Sequence, residues 1–372
     1  MKKATSQDVA RLAGVSQATV SLILNNSEKI TFSNETKEKV FAAAQQLQYE
    51  LPRRKKQPDK KSNRTILLLT PTLANQYYCE LIQAVEDYAD SLDYRVIVCN
   101  TFYKPDLEKY YLNALTGSHA DGVIYTFVPS FPHLIETIAV NTPVVIIGEK
   151  DSDMAICSIE LNNINAGAML AEHLYQLGHR HMAFFSTPFH SLNPAQQQRL
   201  DGICRQLEAH GLTDALETII EEPPAENDLS GVGRPREYDA GRRLITTFLR
   251  RKGKATALIG SNDMIALGIL NELQEQGYRI PHDYSVCGFD NIFSSSVTTP
   301  ALTTIDHHLY TRCRSAVDMI LSQNEKRISP QPPIVNKIEY TPRLIVRAST
   351  GPCATGNEKS KIAELTVNLR KS

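Results

Sequence analysis

The 372-residue sequence lacks the features that would place it in a membrane or send it out of the cell. No run approaches the roughly 18 uncharged apolar residues that a membrane-spanning helix needs. The first residues, MKKATSQDVARLAGV, are basic but contain no apolar segment before a small-residue cleavage site, unlike a secretory signal. We therefore expect a cytoplasmic protein without a membrane anchor.

Paired cysteines and common catalytic motifs are missing as well. The seven cysteines are scattered and never spaced Cys-x-x-Cys, which predicts reduced, mostly buried thiols rather than disulfides or a zinc site. There is no Gly-x-Ser-x-Gly, Gly-x-x-x-x-Gly-Lys or His-Glu-x-x-His motif. His179, His181, His307 and His308 lack partners at metal-ligand spacing, so we expect them at the surface or at helix caps. We expect no enzyme activity, no metal and no cofactor.

What the sequence does have is length and an uneven distribution of charge. A prior of roughly 150 residues per domain predicts two or three folded units. The net charge of −1 hides an asymmetry, because residues 1–64 carry 13 Lys or Arg and 6 Asp or Glu, and the remainder carries 27 and 35. The stretch LPRRKKQPDKK (residues 51–61) alone holds six of the basic residues. By itself it fits a solvated linker as well as a nucleic-acid contact.

Upstream of this stretch, TSQDVARLAGVSQATVSLILNN predicts two short helices joined by a glycine turn. Thr5 and Asp8 have the spacing of an N-cap and an acidic first turn. Gly14 suits the left-handed end of a helix, and Ser16 can cap the next one. The predicted inward residues are Val9, Leu12 and Ala13 in the first helix and Val20 and Leu24 in the second. This pattern is typical of a helix-turn-helix.

A third helix follows SEKITFSNET, where Ser33 or Asn34 can cap it. Its predicted inward face consists of Val40, Phe41, Ala44 and Leu47. Three small helices beside a basic flank predict a DNA-binding head, whereas the helices alone would fit an ordinary structural subdomain.

The segments DVARLAGVSQATVSLILNN and SNETKEKVFAAAQQLQY resemble the head of the lactose repressor (LacI/GalR) family, and the resemblance continues to about Arg347. It implies a dimeric regulator whose second helix docks in the major groove, with each subunit on one half-site. The implied DNA-binding residues of the head are Thr5, Ser16, Gln17, Ala18, Thr19, Ser21, Leu22 and Asn25. Many relatives have an arginine at the position of Leu22, so we expect a different operator sequence here.

The resemblance also places the basic stretch. In the family, the segment after the tyrosine that matches Tyr49 forms a hinge helix, which wedges a leucine into the minor groove. Pro58 occupies the place of that leucine and cannot continue a helix. We expect electrostatic binding to phosphates or a narrow minor groove, with a flexible tether as the alternative. The hinge residues concerned are Arg53, Arg54, Lys55 and Lys56.

From residue 65 onward, apolar β-branched runs such as RTILLLTP, TPVVIIGE and YSVCGFDN alternate with amphipathic segments such as CELIQAVEDYADSL. This alternation predicts parallel sheets covered by helices on both faces. The fold class is therefore a small all-α helix-turn-helix head joined to an α/β two-lobed, periplasmic-binding-protein-like core with two doubly wound parallel sheets. We expect the chain to cross between the lobes near residues 162, 291 and 320–330. The expected domains are 1–48 (head), 49–64 (basic hinge), 65–348 (effector-binding and dimerisation domain) and 349–372 (polar tail).

An effector is expected in the cleft between the lobes, beyond the carboxyl ends of the strands. QRLDGI matches the family's Arg-x-x-Gly-Phe pattern, which makes Arg199 a candidate clamp for hydroxyls or a carboxylate. The resemblance adds polar candidates that could instead cap helices, Asp263 above all, and tyrosines that could instead be core. These candidates are Tyr77, Tyr78, Asn262, Asp263 and Asp290.

Two departures from the family concern the charge of this cleft. Arg236 falls where relatives often have an aromatic residue, and Asn162 falls where many have an aspartate. Both changes would make the cleft more positive and favour a sugar acid or a phosphorylated sugar, unless Arg236 points into solvent.

These observations predict a repressor of carbohydrate-utilisation genes. Its partners would be operator DNA, a small carbohydrate or sugar-acid effector and a second copy of the chain. Two alternatives are a sugar-binding receptor of the periplasmic type and a regulator that responds to a nucleobase-like co-repressor. A kinase or isomerase on a similar α/β scaffold is a further alternative.

Overall fold

A computed structural model describes residues 5–24, 32–47, 49, 64–116, 120–150, 153–189, 193–222, 236–326 and 335–353. The chain divides into two compact units, Met1–Lys61 and Ser62–Ser372. Within the described ranges, no helix is both long enough and apolar enough to cross a membrane. Five of the expected DNA-binding residues and the tail beyond residue 353 lie outside the described residues. The five are Asn25, Arg53, Arg54, Lys55 and Lys56.

The described part of the first unit contains three helices: α1 (Ser6–Ala13), α2 (Gln17–Leu24) and α3 (Asn34–Gln46). Thr5 caps α1, because its Oγ1 accepts from the backbone N–H of Asp8 at 3.4 Å and its own N–H donates to the Asp8 carboxylate at 2.9 Å. Gly14 ends α1 at φ +66°, a backbone conformation that strains any residue with a Cβ. Ser16 Oγ caps α2 by accepting from the N–H of Thr19 at 3.1 Å. The predicted caps and turn are therefore present.

The apolar core of this head differs in part from the predicted stripes. Its buried residues are Val9, Ala10, Val20, Ile23, Val40, Ala43 and Ala44. Leu12 and Phe41 were expected to point inward but are 48% and 53% exposed. Leu24 is only half-buried, at the edge of the core. Each of the three helices packs against both others. The small Ala10 and Ala43 fit at these close contacts, whereas the larger Leu12 and Phe41 lie outside the apolar core.

The second unit alternates strands and helices. Its described strands are β1 (Thr65–Thr70), β2 (Arg95–Asn100), β3 (Gly122–Tyr125), β4 (Val144–Ile147), β5 (Cys157–Leu161), β6 (Met182–Ser186), β7 (Leu216–Ile220), β8 (Ala257–Gly260), β9 (Ser285–Asp290), β10 (Thr303–Asp306), β11 (Lys337–Tyr340) and β12 (Arg343–Ile345). Its described helices are α4 (Gln76–Asp90), α5 (Pro105–Thr116), α6 (Pro132–Ala139), α7 (Asn163–Gln176), α8 (Ala195–Ala209), α9 (Arg236–Arg250), α10 (Asp263–Glu275), α11 (Phe293–Val297) and α12 (Leu309–Lys326).

These described strands form two six-stranded sheets, one in each lobe. The first lobe has the order β11-β5-β4-β3-β1-β2 and the second has β12-β10-β9-β8-β6-β7, with only the β10–β12 pair antiparallel. In β1, Ile66 and Leu68 pack into one apolar cluster and Leu67 and Leu69 into another, so both faces of the sheet are covered. The predicted fold class is confirmed.

Within the described residues, the chain crosses between the lobes three times. The first crossing follows β5, near residue 162, as predicted. The second follows β10 at residues 307–308 rather than near 291, because β9 and β10 pair in the same sheet. The third lies at residues 341–342 rather than 320–330, because α12 packs on the first sheet and β11 pairs with β5.

The segment after residue 348 does not begin a polar tail. Ser349 is fully buried, and its Oγ donates to the carbonyl oxygen of Val286 at 2.6 Å. His179 Nε2 lies 3.1 Å from the carbonyl oxygen of Gly351, to which it donates. His179 is only 2% exposed, so the expectation of a surface position was wrong. Residues 349–353 belong to the second lobe.

Candidate functional site

Polar side chains converge where strands of both sheets end. Asp290 is the last residue of β9, Ser261 follows β8, and His307 follows β10. Asn163 is the first residue of α7, directly after β5, and Arg199 lies in α8. The carboxyl ends of parallel strands form the usual ligand site of such sheets. These five residues therefore mark a candidate binding cleft between the lobes.

Arg199 lies at the centre of this cleft and is 6% exposed. Its Nε donates to Asn163 Oδ1 at 3.0 Å, and its Nη1 donates to the carbonyl oxygen of Ser261 at 2.6 Å. Its Nη2 lies 3.4 Å from Asp290 Oδ1. The guanidinium carbon sits 4.9 Å from the ring centre of Phe289. Contacts on every side fix the orientation of the charged group.

Close packing of α7 against α8 sets the position of Arg199. A Cβ added to Gly167 of α7 would lie 2.0 Å from the carbonyl oxygen of Arg199. A Cβ added to Gly202 of α8 would lie 2.0 Å from the carbonyl oxygen of Ile164. Any larger side chain at either glycine would push the helices apart and move Arg199 with α8.

Asp290 and His307 form a buried pair beside Arg199. His307 Nδ1 lies 3.5 Å from Asp290 Oδ1, and its Nε2 lies 3.4 Å from Arg199 Nη2. Burial raises the pKa of Asp290 to about 8, although the charge of Arg199 opposes this. Burial and the nearby arginines hold the pKa of His307 well below its usual value, so the imidazole is neutral. Asp290 has a φ of 121°, a strained value of the kind found at functional sites.

The first lobe contributes aromatic and charged groups to the same cleft. The Tyr77 ring meets His307 edge-on, with 5.8 Å between ring centres, and its hydroxyl accepts from Arg312 Nη1 at 3.4 Å. The hydroxyl of the buried Tyr78 lies 3.4 Å from that of Tyr103. Tyr77 therefore lies at the cleft, and Tyr78 packs edge-on against it with 5.3 Å between ring centres. Contact of either tyrosine with an effector stays a prediction.

Direct hydrogen bonds join the two lobes around the cleft. Asn163 Nδ2 of the second lobe donates to Glu149 of the first, and Asn75 Nδ2 donates to Glu237 Oε1 at 3.1 Å. On another side, the N–H of Phe293 donates to Glu80 Oε1 at 2.8 Å. A change in the angle between the lobes must break or rearrange these bonds.

Arg236 and Asn162 do not lie where the sequence places them. Arg236 Nη2 is 3.8 Å from Glu221 Oε2, and its side chain is 47% exposed, so Arg236 adds no charge to the cleft. The residue of α9 that reaches the other lobe is its neighbour Glu237. Asn162 caps α7 by accepting from the N–H of Asn165 at 2.8 Å and donates to Glu339 at 3.1 Å.

The Asp263 carboxylate also forms its hydrogen bonds outside the cleft. Asp263 is fully buried, and its carboxylate accepts from the hydroxyls of Ser295 and Thr304, both at 2.6 Å, and from the N–H of Ile292 at 3.2 Å. Asn262, not Asp263, caps α10, because its Oδ1 accepts from the N–H of Ile265 at 2.9 Å. Asp263 therefore holds the β9–β10 region together rather than reaching into the cleft.

Six residues of the site were not predicted from the sequence. Three of them lie one position from a predicted residue, so a check of the neighbouring positions would have found Ser261, Asn163 and Glu237. His307 was expected at the surface or at a cap because the short strand before it, TTID, was not recognised. No local signal pointed to Glu149 or Arg312, whose positions depend on how the lobes meet.

Possible metal ligands are dispersed in the described ranges. No group of three or more His, Cys, Asp and Glu side chains in them is arranged to hold a metal ion. Of the seven cysteines, Cys99, Cys157, Cys287 and Cys313 are buried. Burial raises the pKa of Cys99 to about 11 and that of Cys313 to about 12, so both remain unreactive thiols at neutral pH.

The outer face of α2 is the candidate DNA-binding surface of the head. Gln17, Ala18 and Ser21 are exposed, and Leu22 is half-buried. Gln17 Nε2 donates to Ser6 Oγ at 2.8 Å, which steadies the start of α2 against α1. The hydroxyls of Ser16 and Thr19 lie 2.9 Å apart at the same end. The face presents polar side chains together with the apolar Ala18 and Leu22.

Comparisons with known proteins match both units. Residues 5–51 match the family model of bacterial regulatory proteins of the lacI family, and residues 171–350 match a periplasmic binding protein-like domain. The HTH-type transcriptional regulator RegA of Clostridium saccharobutylicum is 30% identical over 345 residues, covering 92% of this chain and 98% of RegA. The ribose operon repressor of Halalkalibacterium halodurans is 30% identical over 360 residues, 96% of this chain and 99% of that repressor.

Solved structures agree with this match. A crystal structure of the Lac repressor dimer bound to operator and the anti-inducer ONPF is 25% identical, with a TM-score of 0.66. The match covers 94% of this chain and 100% of that chain. A helix-turn-helix head and a two-lobed core with a polar cleft define a ligand-binding transcriptional regulator. The chain belongs to the lacI family of bacterial regulatory proteins and is a DNA-binding transcriptional regulator.

Proposed function

We propose that the protein represses carbohydrate-utilisation genes and that a small sugar-type effector, bound between the lobes, changes its affinity for operator DNA. Residues 1–48 would read the operator as part of a homodimer, residues 49–64 would bind the DNA backbone, and residues 65–353 would bind effector and partner subunit. The relatives are regulators, which supports this reading over an enzyme or a simple receptor.

The observation that carries the effector site is the arrangement of Arg199 with Asp290. A rigid guanidinium offers donors, and the carboxyl group 3.4 Å away offers acceptors. Neighbouring hydroxyls of a sugar both donate and accept, so such a pair can bind two of them at once. Tyr77 adds an aromatic surface on the opposite lobe. Apolar surface with a few fixed polar groups is the usual composition of a small-molecule pocket.

The contacts between the lobes support coupling to DNA. An effector that bridges Arg199 on one lobe and Tyr77 on the other binds some lobe angles better than others. Binding therefore shifts the population of those angles, at the expense of bonds such as the one from Phe293 to Glu80. The heads of a dimer must keep the spacing of two half-sites, so a change in the cores changes operator affinity.

The head supports sequence-specific recognition. We place α2 in the major groove, with Ser16, Gln17, Ala18 and Leu22 towards the bases. The remaining positions, which contact phosphates, orient the head without specifying sequence. These positions are Thr5, Thr19, Ser21 and Asn25. In the hinge, Arg53, Arg54, Lys55 and Lys56 bind phosphates or a narrow minor groove.

The experiment has two stages. Duplexes selected from a random pool by the full-length protein identify the operator, and thermal unfolding with a panel of sugars identifies ligands. A ligand at 100 times its dissociation constant should add about 2.7 kcal/mol to the free energy of unfolding. The proposal predicts a near-palindromic operator whose affinity changes with the stabilising sugar. Binding of ligands without any effect on the selected duplex would contradict it.

A further inference from the structure

Arg312 of α12 is a second buried guanidinium of the cleft, and one of its donors has no partner among the residues that the structure describes. The residue is 3% exposed, and its Nη2 donates to the carbonyl oxygen of Ile159 at 3.1 Å. Its Nη1 lies 3.4 Å from the hydroxyl of Tyr77. In the part of the chain that the structure describes, Nε of Arg312 has no acceptor. A buried charged donor without an acceptor is costly, which suggests that a bound ligand supplies one.

The neighbours of Arg312 place it at the cleft. Ile159 lies near the carboxyl end of β5, the edge at which ligands bind in parallel sheets. The charges of Arg312 and Arg199 both act to lower the pKa of three neighbouring side chains, which are Tyr77, His307 and Glu149. Arg312 packs with the first lobe and Arg199 with the second. Two guanidinium groups therefore approach the same three side chains from opposite lobes.

The two arginines differ in what they can still bind. Every nitrogen of Arg199 has an acceptor, whereas Nε of Arg312 has none within the described ranges. Nε and an Nη of one guanidinium can bind two oxygens of a carboxylate or phosphate side by side. An anion that binds Arg312 therefore supplies an acceptor that this arginine lacks, whereas an anion at Arg199 does not.

The carboxyl groups of the cleft do not cancel the attraction of the two arginines for an anion. Asp290 lies against Arg199, Glu149 accepts from Asn163, and Glu237 accepts from Asn75. Burial raises the pKa of both Asp290 and Glu149, so each can take up a proton when an anion approaches.

The second lobe offers hydroxyl groups instead of further charge. Ser186 ends β6 and Ser261 follows β8, its neighbour in the sheet. The side-chain oxygens of both are buried and have no hydrogen-bond partner among the described residues. Ser261 also accepts from Arg199 through its carbonyl oxygen. Both hydroxyls suit the hydroxyl-bearing part of a ligand.

We propose that the effector carries an acidic group, a carboxylate or a phosphate, which binds Arg312 on the first lobe while its hydroxyls bind Arg199 and Asp290 on the second. This inference rests on the proposed function, because it names the class of ligand for the same cleft. It makes Arg312 the residue that distinguishes acidic from neutral sugars.

The test compares each acidic sugar with its neutral parent on the full-length protein. D-Glucuronate, D-gluconate and D-glucose 6-phosphate are measured beside D-glucose, with the matching galactose and ribose series, by thermal unfolding and calorimetry. Arg312→Gln removes the charge, and Arg312→Lys restores it if the Gln variant folds poorly. Arg314→Gln is the matched control, because Arg314 lies two residues on in α12 with its side chain 66% exposed.

We expect wild type to bind one acid at least 10-fold more tightly than its neutral parent. Arg312→Gln should reduce that ratio to within about 3-fold, Arg312→Lys should keep part of it because the charge remains while the two-donor fork is lost, and Arg314→Gln should keep all of it. A carboxylate that binds while the phosphates do not, or the reverse, identifies the acidic group. Binding of neutral sugars with equal or higher affinity, or an unchanged ratio in Arg312→Gln, would overturn the inference and leave the proposed function standing. If no sugar of either kind binds, the proposed function fails as well.

Discussion

Nη2 of Arg199 lies 3.4 Å from Oδ1 of Asp290, and both side chains are more than nine-tenths buried. The two residues are 91 positions apart and meet only because α8 and the end of β9 lie at the same edge of one sheet. Breaking a buried ion pair by removing one partner typically costs about 3–5 kcal/mol, because the other charge stays buried. Removing either partner alone should therefore destabilise the lobe.

The first prediction concerns the geometry of Arg199. Arg199→Lys keeps the positive charge but cannot donate to Asn163, Ser261 and Asp290 at once, so the fork that binds sugar hydroxyls is lost. We expect effector affinity to fall by about 10- to 100-fold, the effect of losing about 1.4–2.8 kcal/mol. Calorimetry on the folded variant measures it.

Arg205→Lys is the control for this prediction, because Arg205 is an exposed residue of the same helix. It should bind effector as wild type does. Equal affinity in Arg199→Lys and wild type would show that the cleft around Arg199 is not the effector site.

The second prediction concerns Asp263. Burial raises its folded-state pKa from 3.8 to about 7, so protonation stabilises the fold. That stabilisation is fully present below about pH 4 and is lost as the pH rises through 7, with a ceiling of about 4 kcal/mol. Asp263→Asn cannot ionise, and its amide can still pair with Thr304 while its oxygen accepts from Ser295 and Ile292. Urea unfolding from pH 4 to 8 should therefore give a flatter profile than wild type.

Asp106→Asn, at an exposed site in α5, should keep the wild-type pH profile. If the wild-type and Asp263→Asn profiles run parallel over this range, Asp263 is ionised throughout and the carboxylate is stabilised by its three donors alone.

The helix-turn-helix, the two sheets and Arg199 could be predicted because each leaves a local signal. Caps and a glycine turn define α1 and α2, buried β-branched runs define most strands, and Arg199 follows a short family pattern. The wrong predictions of site residues arise where two neighbouring residues could each cap a helix or face the cleft. Asn162 caps α7 and so leaves the cleft to Asn163, while Asn262 caps α10 and leaves Asp263 to the interior.

Other parts of the site depend on contacts between distant segments. Arg312 enters the cleft because α12 returns to the first lobe after a crossing that lies beyond β10, not near residue 291. No spacing within α12 distinguishes it from the exposed Arg314. The charge of the cleft was therefore misassigned to Arg236, which pairs with Glu221 instead.

The third prediction concerns base recognition by Leu22. A leucine makes only apolar contacts with bases, such as one with a thymine methyl, whereas an arginine can bind guanine through two hydrogen bonds. Leu22→Arg should therefore select duplexes with guanine at one position of each half-site, with a discrimination of about 1–3 kcal/mol. Selection from a random pool, followed by sequencing, measures this change.

Gln7→Arg adds the same charge at an exposed position of α1 and is the control. It should raise affinity for all duplexes without changing the preferred sequence. The same preference in wild type and Leu22→Arg would place this residue away from the bases.

The fourth prediction concerns the basic stretch. Replacing Arg53, Arg54, Lys55 and Lys56 with glutamine should weaken binding to all duplexes and reduce the dependence of affinity on salt. Each lost phosphate contact lowers the slope of log affinity against log salt by about 0.9. Fluorescence anisotropy at several salt concentrations gives the slope.

A matched control removes the same number of exposed charges from the end of α9, at Arg250, Arg251, Lys252 and Lys254. Its salt slope should equal that of wild type. An unchanged slope in the hinge variant would mean that the stretch is a tether without DNA contacts.

The central claim is that the cleft and the DNA-binding head share one equilibrium. The most direct measurement is operator affinity with and without saturating effector, together with effector affinity with and without operator. Thermodynamic linkage predicts that both affinities change by the same factor, which we expect to be at least about 5-fold. An effector that binds in the cleft but leaves operator affinity unchanged would contradict the account.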